Sequence, residues 1–344
     1  MNTEICSRCV LPVSFPGIEF RDGVCNFCES YSDTTVVALK KQELTLRMEA
    51  AIEECRGRGT YECVVAYSGG KDSSYVLMKL VRTYRLRCLA VTIDNGFVSP
   101  QAVENCKTVT RHLGVDFSFF TPAFDFMRRL YVTSATDPSL HPPGAMRRAS
   151  AICNSCIGLI NAHMLQTALQ HEAPLIAGGY LGGQVPADAA LITFDNRLPN
   201  LARDAQLGRM TRALGKGAAR YFAIQSSGAR QNQKVSIINP MLTFSCTERE
   251  IIRAISEIGW IATKDTGANS SNCQLNDLGI ALHYRKHGFH PYAFELSEQV
   301  RIGALTREEA LGRVLHVPSL PALDTQLKAL NLDPAGNRAD DMGR

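Results

Sequence analysis

The chain has 344 residues, 45% hydrophobic and 20% charged, which suits a soluble globular protein of one large or two modest domains with a sizeable core. A formal net charge of +4 is too small to argue for nucleic acid or an anionic membrane as a partner. No apolar run approaches the roughly 20 residues that span a bilayer, and the start MNTEICSRC lacks the apolar core of a signal peptide, so a cytoplasmic protein is expected.

In such a compartment the twelve cysteines are expected as thiols or metal ligands, not disulfides. The first four come at once. Residues 1–35 carry CSRC and CNFC, two CxxC pairs separated by fifteen residues rich in turn formers. Four soft thiolates at this spacing (Cys6, Cys9, Cys25 and Cys28) predict one tetrahedral Zn2+ site, with an iron–sulfur site as the rival. So short a segment cannot bury a core, so the metal is expected to fold it.

An amphipathic helix over residues 36–58 leads into Glu62–Leu80, ECVVAYSGGKDSSYVLMKL. Val64 to Tyr67 read as a buried strand, and Tyr75, Val76, Met78, Leu80 and Val81 fall at helical spacing. Strand, glycine turn and helix together aim backbone N–H groups at an anion. Gly69 and Gly70 allow close approach of phosphate oxygens, Ser68, Ser73 and Ser74 add hydroxyls, and Lys71 adds a positive charge. Its spacing is not that of a Walker A loop, G-x-x-x-x-G-K-S/T.

Further strands are expected at 88–95, 116–121, 174–179 and 235–238, alternating with helices, which makes the sheet parallel and the fold class α/β. In such a sheet ligands lie beyond the carboxyl ends of the strands, which places Asp94 and Gly179 beside a bound ligand, a plain turn after the strand being the alternative for Asp94. Cys153 and Cys156 form a CxxC that opens a helix, where the helix dipole favours thiolate. Residues 196–232 read as a surface insertion serving as a substrate lid. Thr247 and Glu250, and Thr306 and Glu309, have capping-box spacing. Cys55, Cys63, Cys88 and Cys106 sit in strand or helix patterns and read as core thiols. The expected organisation is thus a knuckle at 1–35, an α/β sheet domain at 60–262, a helical region at 263–325 and a poorly ordered tail at 326–344.

SGGKDS after an apolar strand resembles the signature of the PP-loop ATP pyrophosphatases. That resemblance implies a Rossmann-like domain in which Ser68, Gly69, Gly70, Lys71, Asp72 and Ser73 hold the phosphates of ATP with Mg2+, Lys71 and Asp72 acting in catalysis. It also implies cleavage between the α- and β-phosphates, with AMP transferred to a substrate oxygen. The N-terminal CSRCVLPVSFPGIEFRDGVCNFC, together with NSSNCQLND and VRIGALTREEAL, is similar to the N-acetyl sugar amidotransferase branch, which implies a sugar substrate and ammonia from a separate glutaminase subunit.

A second, local resemblance concerns NPMLTFSCTEREI and the CxxC. It is similar to PP-loop tRNA thiolases, in which three cysteines hold a 4Fe–4S cluster open to hydrosulfide. This implies Cys153, Cys156 and Cys246 as ligands with a catalytic role, Cys273 being the rival third ligand. A fortuitous CxxC beside a buried Cys246 is the plain alternative. The preferred expectation is a transferase that replaces a carbonyl or amide oxygen of a small molecule by sulfur from a sulfide donor. Nitrogen insertion is the second expectation and a non-catalytic ATP- and metal-binding regulator the third. A tRNA substrate is disfavoured because the chain carries no evident basic surface.

Overall fold

The structure, a computed structural model, describes residues 4–31, 34–186, 188–195, 201–223 and 234–338. In chain order it places β1 (Phe20–Arg21), β2 (Val24–Cys25), α1 (Asn26–Glu29), α2 (Thr34–Glu54), β3 (Cys63–Ala66), α3 (Lys71–Arg82), β4 (Cys88–Ile93), α4 (Pro100–Leu113) and β5 (Asp116–Phe120). These are followed by α5 (Phe124–Thr136), α6 (Pro143–Met146), α7 (Ala151–Gln170), β6 (Leu175–Ala177), β7 (Leu191–Asp195), α8 (Leu201–Leu214), α9 (Ala219–Phe222) and β8 (Lys234–Ile238). The chain ends with α10 (Glu248–Ser256), α11 (Asn276–His287), α12 (Ala293–Arg301), α13 (Arg307–Val314) and α14 (Asp324–Leu330).

The main sheet has the order β5-β4-β3-β6-β8-β7. Its first five strands pair in parallel and β7 closes the edge antiparallel to β8. The five parallel strands are those the sequence predicts; β7 was not expected. β5 and β8 are partly exposed, whereas β3, β4 and β6 are near-continuous apolar runs buried on both faces. Pleating divides them. Cys63, Val65, Cys88, Ala90, Leu175 and Ala177 face one core, while Val64, Leu89, Val91 and Ile176 face the other with α7. Cys55 and Cys106 join Cys63 and Cys88 in the first core, all four buried.

The chain runs from β3 outward to β5, then returns to β6 on the other side of β3, so strand order reverses between β3 and β6. That reversal opens a crevice at the carboxyl ends of the strands.

Two further cores fix the rest of the chain. One gathers α5, α7, α8, α9, α11 and α14, and includes Met210, Tyr221 and Phe222 from the stretch expected to be a surface lid. Those apolar side chains are buried there, so the described part of the stretch is packed, while residues 196–200 and 224–232 lie outside the described residues. The expected loose tail also differs: Leu327, Leu330 and Leu332 enter the same core, and the chain is described as far as residue 338. The last core joins the N-terminal cysteine segment to Phe289, Ala293, Leu296, Ala310 and Val314 of the C-terminal region. Among the described residues no helix is long and apolar enough to cross a membrane.

Candidate active site and metal centres

The glycine turn after β3 is held from behind. Gly69 has φ +71°, and a Cβ there would sit 2.1 Å from the Ala102 carbonyl oxygen. Its own carbonyl accepts from the Asn105 amide (3.2 Å) and the Trp260 indole N–H (2.9 Å). The Ser68 and Ser73 hydroxyls are 3.1 Å apart, and Ser74 donates to the Gly70 carbonyl at 2.7 Å. With Gly70 as its N-cap, α3 opens directly onto the crevice. Gly179, just beyond β6, comes so close to this turn that a Cβ would meet the Ser73 backbone nitrogen at 3.0 Å. A side chain there would press on the Ser73 and Asp72 backbone, so glycine suits the position.

Lys71 Nζ lies 2.9 Å from the Asp72 carboxylate and 3.5 Å from Glu248. Burial works against its charge, but Asp72, Glu248 and Glu295 more than offset this and hold its pKa above the usual lysine value. Glu248 in turn pairs with both terminal nitrogens of Arg313, at 2.9 and 3.1 Å. Burial raises its pKa, while Arg313 and Lys71 outweigh that and lower it.

The crevice is a cavity of about 1340 Å³. Ser68, Gly70, Lys71, Asp72, Ser73 and Gly179 line it, together with Cys153, Cys156, Cys246 and Cys273. A single small ligand usually occupies roughly 300–1,000 Å³. The cavity is larger than one small ligand needs. Of the turn after β4, Asn95 lines the cavity. The Asp94 carboxylate instead accepts the Gly96 N–H at 2.9 Å, the usual service of an aspartate in a tight turn.

Four cysteines share the cavity, but three of them share a wall. Cys153 and Cys156 lie in the first turns of α7, whose N-cap Ser150 accepts the Cys153 N–H. Cys273 is carried to them by a short antiparallel contact, in which Val98 bridges Cys273 and Gln274 donates to the Phe97 carbonyl at 2.9 Å. The Asn95 amide spans Cys273 (3.3 Å) and Cys156 (3.8 Å), and Asn276 reaches Cys153 at 4.0 Å. Cys246 sits elsewhere, against the first core beside Tyr75 and Lys41. The resemblance-based set Cys153, Cys156 and Cys246 is therefore not the set the fold brings together; its rival Cys273 is.

The expected thiolate bias at the start of α7 is overridden. Burial pushes Cys153 up to about 11 and Cys156 up to about 12, with the neighbouring Cys273 adding to both. Desolvation of a buried thiolate exceeds the attraction of one helix terminus. A cation would reverse the balance.

The N-terminal thiols differ in spacing. Cys6, Cys9, Cys25 and Cys28 are buried, with all four sulfurs within 4.8 Å of one another and Cys9 and Cys25 at 3.7 Å. Tetrahedral bonds of about 2.3 Å put sulfurs about 3.8 Å apart, so the donor set fits zinc. Arg307 donates to the Cys6 and Cys9 carbonyls, at 2.9 and 3.1 Å, and clamps the first knuckle to α13. Cys153, Cys156 and Cys273 do not meet this spacing; among the described residues the N-terminal four form the compact group. Cys153, Cys156 and Cys273 are soft sulfur donors of the kind that hold iron–sulfur clusters, with the Asn95 and Asn276 amides beside them.

Sequence reasoning missed Glu295. It is buried in the cavity wall on α12, where Gln184 donates to its Oε2 at 2.9 Å. Among the described residues no hydrogen bond or ion pair engages its Oε1. Burial pushes its pKa up to about 7. Nothing in FELSEQV distinguishes this glutamate from a solvent-facing one.

No family model matches the chain. A curated relative, Uncharacterized protein MJ1599 of Methanocaldococcus jannaschii, is 25% identical over 265 residues, covering 76% of this chain and 75% of its own length. Among solved structures, the U34-tRNA thiolase NcsA from Methanococcus maripaludis with its [4Fe-4S] cluster overlaps 93% of this chain and 90% of its own, at a TM-score of 0.32 and 13% identity. The NH3-dependent NAD synthetase from Campylobacter jejuni overlaps 41% of this chain at a TM-score of 0.30 and 12% identity; the overlap takes in 57% of the synthetase. A predicted subunit of tRNA methyltransferase from Methanocaldococcus jannaschii covers 67% of this chain and 91% of its own, at a TM-score of 0.29 and 16% identity. Overlaps this loose leave the chemistry to the residues themselves.

Proposed function

We propose that this chain is an ATP-dependent transferase that activates a carbonyl or amide oxygen of a small molecule as its adenylate and exchanges that oxygen for sulfur. The observation that carries this reading is the single cavity lined by both the Ser68–Ser73 turn and the thiols Cys153, Cys156 and Cys273. The turn and the first N–H groups of α3 bind the phosphates of MgATP, with Lys71 neutralising charge that grows on the leaving pyrophosphate. The substrate oxygen forms a bond to the α-phosphorus, the bond to the β-phosphate oxygen breaks, and pyrophosphate departs. AMP is then the leaving group when sulfide attacks the activated carbon.

Cys153, Cys156 and Cys273 would hold an iron–sulfur cluster, which supplies an open iron position for sulfide when bound. Zinc at Cys6, Cys9, Cys25 and Cys28 has a structural part in this reading. The same geometry serves ammonia from a glutaminase partner, and the sugar-amidotransferase-like segments favour that second reading.

Anaerobic purification with iron, sulfide and zinc counted per chain tests the metal assignment. About four irons beside one zinc, with pyrophosphate release that requires sulfide, is the expected result. Zinc alone with ammonium-dependent release would replace sulfur by nitrogen. Hydrolysis of ATP to ADP would sink both readings.

A further inference from the structure

Asn95 stands one residue beyond the turn aspartate and two beyond the end of β4, buried at 7% exposure. A polar side chain in that setting is retained only with its hydrogen bonds made. Its orientation is fixed. Oδ1 accepts the Phe97 backbone N–H at 2.8 Å, which turns Nδ2 the other way, onto the Cys273 and Cys156 sulfurs at 3.3 and 3.8 Å. The Tyr131 hydroxyl holds the Asn95 backbone carbonyl at 3.3 Å. One amide thus touches two cysteines that stand 61 and 178 residues away in sequence.

We propose that Asn95 is a positioning residue of the thiol centre: it sets the approach of Cys156 and Cys273 and donates a hydrogen bond to their sulfurs when these act as ligands. The inference rests on the reading of Cys153, Cys156 and Cys273 as cluster ligands. An N–H aimed at a ligating thiolate withdraws negative charge from it. It therefore stabilises the reduced, more negative state of the group and raises its reduction potential. Leucine here would leave the Phe97 N–H without its side-chain acceptor and both sulfurs without the amide donor, Cys156 keeping the Tyr131 hydroxyl and Cys273 the Leu275 and Asn276 backbone N–H groups. Aspartate keeps the acceptor for Phe97 but turns an oxygen onto the sulfurs, so it separates the turn from the thiol contact.

The full chain is reconstituted anaerobically with ferrous iron and sulfide as wild type, Asn95→Asp and Asn95→Leu. Iron loss to a chelator and the midpoint potential are then followed, with Trp260 fluorescence on adding MgATP as the control for an intact cavity. In Asn95→Asp the midpoint is expected to move to more negative values, and iron to be stripped about 10-fold faster, the scale of losses when a partner of a metal ligand is removed. A folded Asn95→Asp protein that matches wild type in potential and stripping rate overturns the inference and leaves the cluster reading standing. If wild type takes up zinc but no iron, the cluster reading fails and this inference with it.

Discussion

The choice between Cys246 and Cys273 turns on a few contacts. Both are single cysteines in polar sequence, yet the Asn95 amide reaches Cys273 while Cys246 packs beside Tyr75. Cys273→Ala is expected to abolish iron retention after anaerobic reconstitution, as Cys153→Ala would. Cys246→Ala is expected to keep it, and the reverse pattern would return Cys246 to the ligand set. Glu295 supplies a pH signature. With its pKa raised by burial to about 7, the folded protein binds a proton that the unfolded chain has already lost. Stability conferred by the protonated form is complete at low pH and falls as pH rises from about 4.5 to about 7, by roughly 3 kcal/mol in all. Glu295→Gln mimics the protonated form and is expected to flatten that decline. Denaturant midpoints at pH 5 and pH 8 measure it, and a variant whose midpoints fall as steeply as those of wild type would count against the assignment.

At the scale of elements, the β3–turn–α3 unit is where local sequence and tertiary support agree. Apolar residues build the strand, glycines permit the turn, and α3 buries Val76, Leu77 and Leu80 beneath the sheet. The turn nonetheless depends on residues far along the chain, because Asn105 and Trp260 both bind the Gly69 carbonyl. Gly69→Ala puts a methyl group into the Ala102 carbonyl and demands a left-handed backbone of an alanine, about 1–2 kcal/mol before the collision is counted. A loss of MgATP affinity of about 10-fold or more is expected. Trp260, the single tryptophan, reads it directly, since ligand binding at the turn disturbs the partner of its indole N–H. Unchanged affinity would mean that the phosphates bind elsewhere.

For the whole molecule, the N-terminal thiols act as a strut and not as an appendage. Their core is shared with α12 and α13, and Arg301, which reaches Cys28 at 4.0 Å, belongs to the helix that carries Glu295. Phe27 and Tyr31 from the first residues line the same cavity as Lys71. Removing zinc with a chelator is expected to raise hydrogen exchange across α12 and α13 while the amides of β3 and β4 stay protected. Uniform exchange before and after removal would show that the thiols hold themselves together without a metal.

How much of this was legible depends on the range of the interactions involved. By itself the sequence determined the five parallel strands, the glycine turn after β3, both capping boxes and the four-cysteine spacing at the N-terminus. Each of these arises from neighbours a few residues apart: apolar runs, glycines, Thr–x–x–Glu and CxxC. Tertiary structure decided the rest. Which third cysteine joins Cys153 and Cys156 follows from the contact between Val98 and Cys273, across 175 residues of chain (273 − 98). The upward shift of the α7 thiols, the shared cavity wall and the elevated pKa of Glu295 follow from burial, which no short stretch of residues encodes. Edge strand β7 pairs only because β8 presents a free side to it. Chemistry that depends on one segment is written locally, whereas chemistry assembled from several segments exists only once the sheet has brought their ends together.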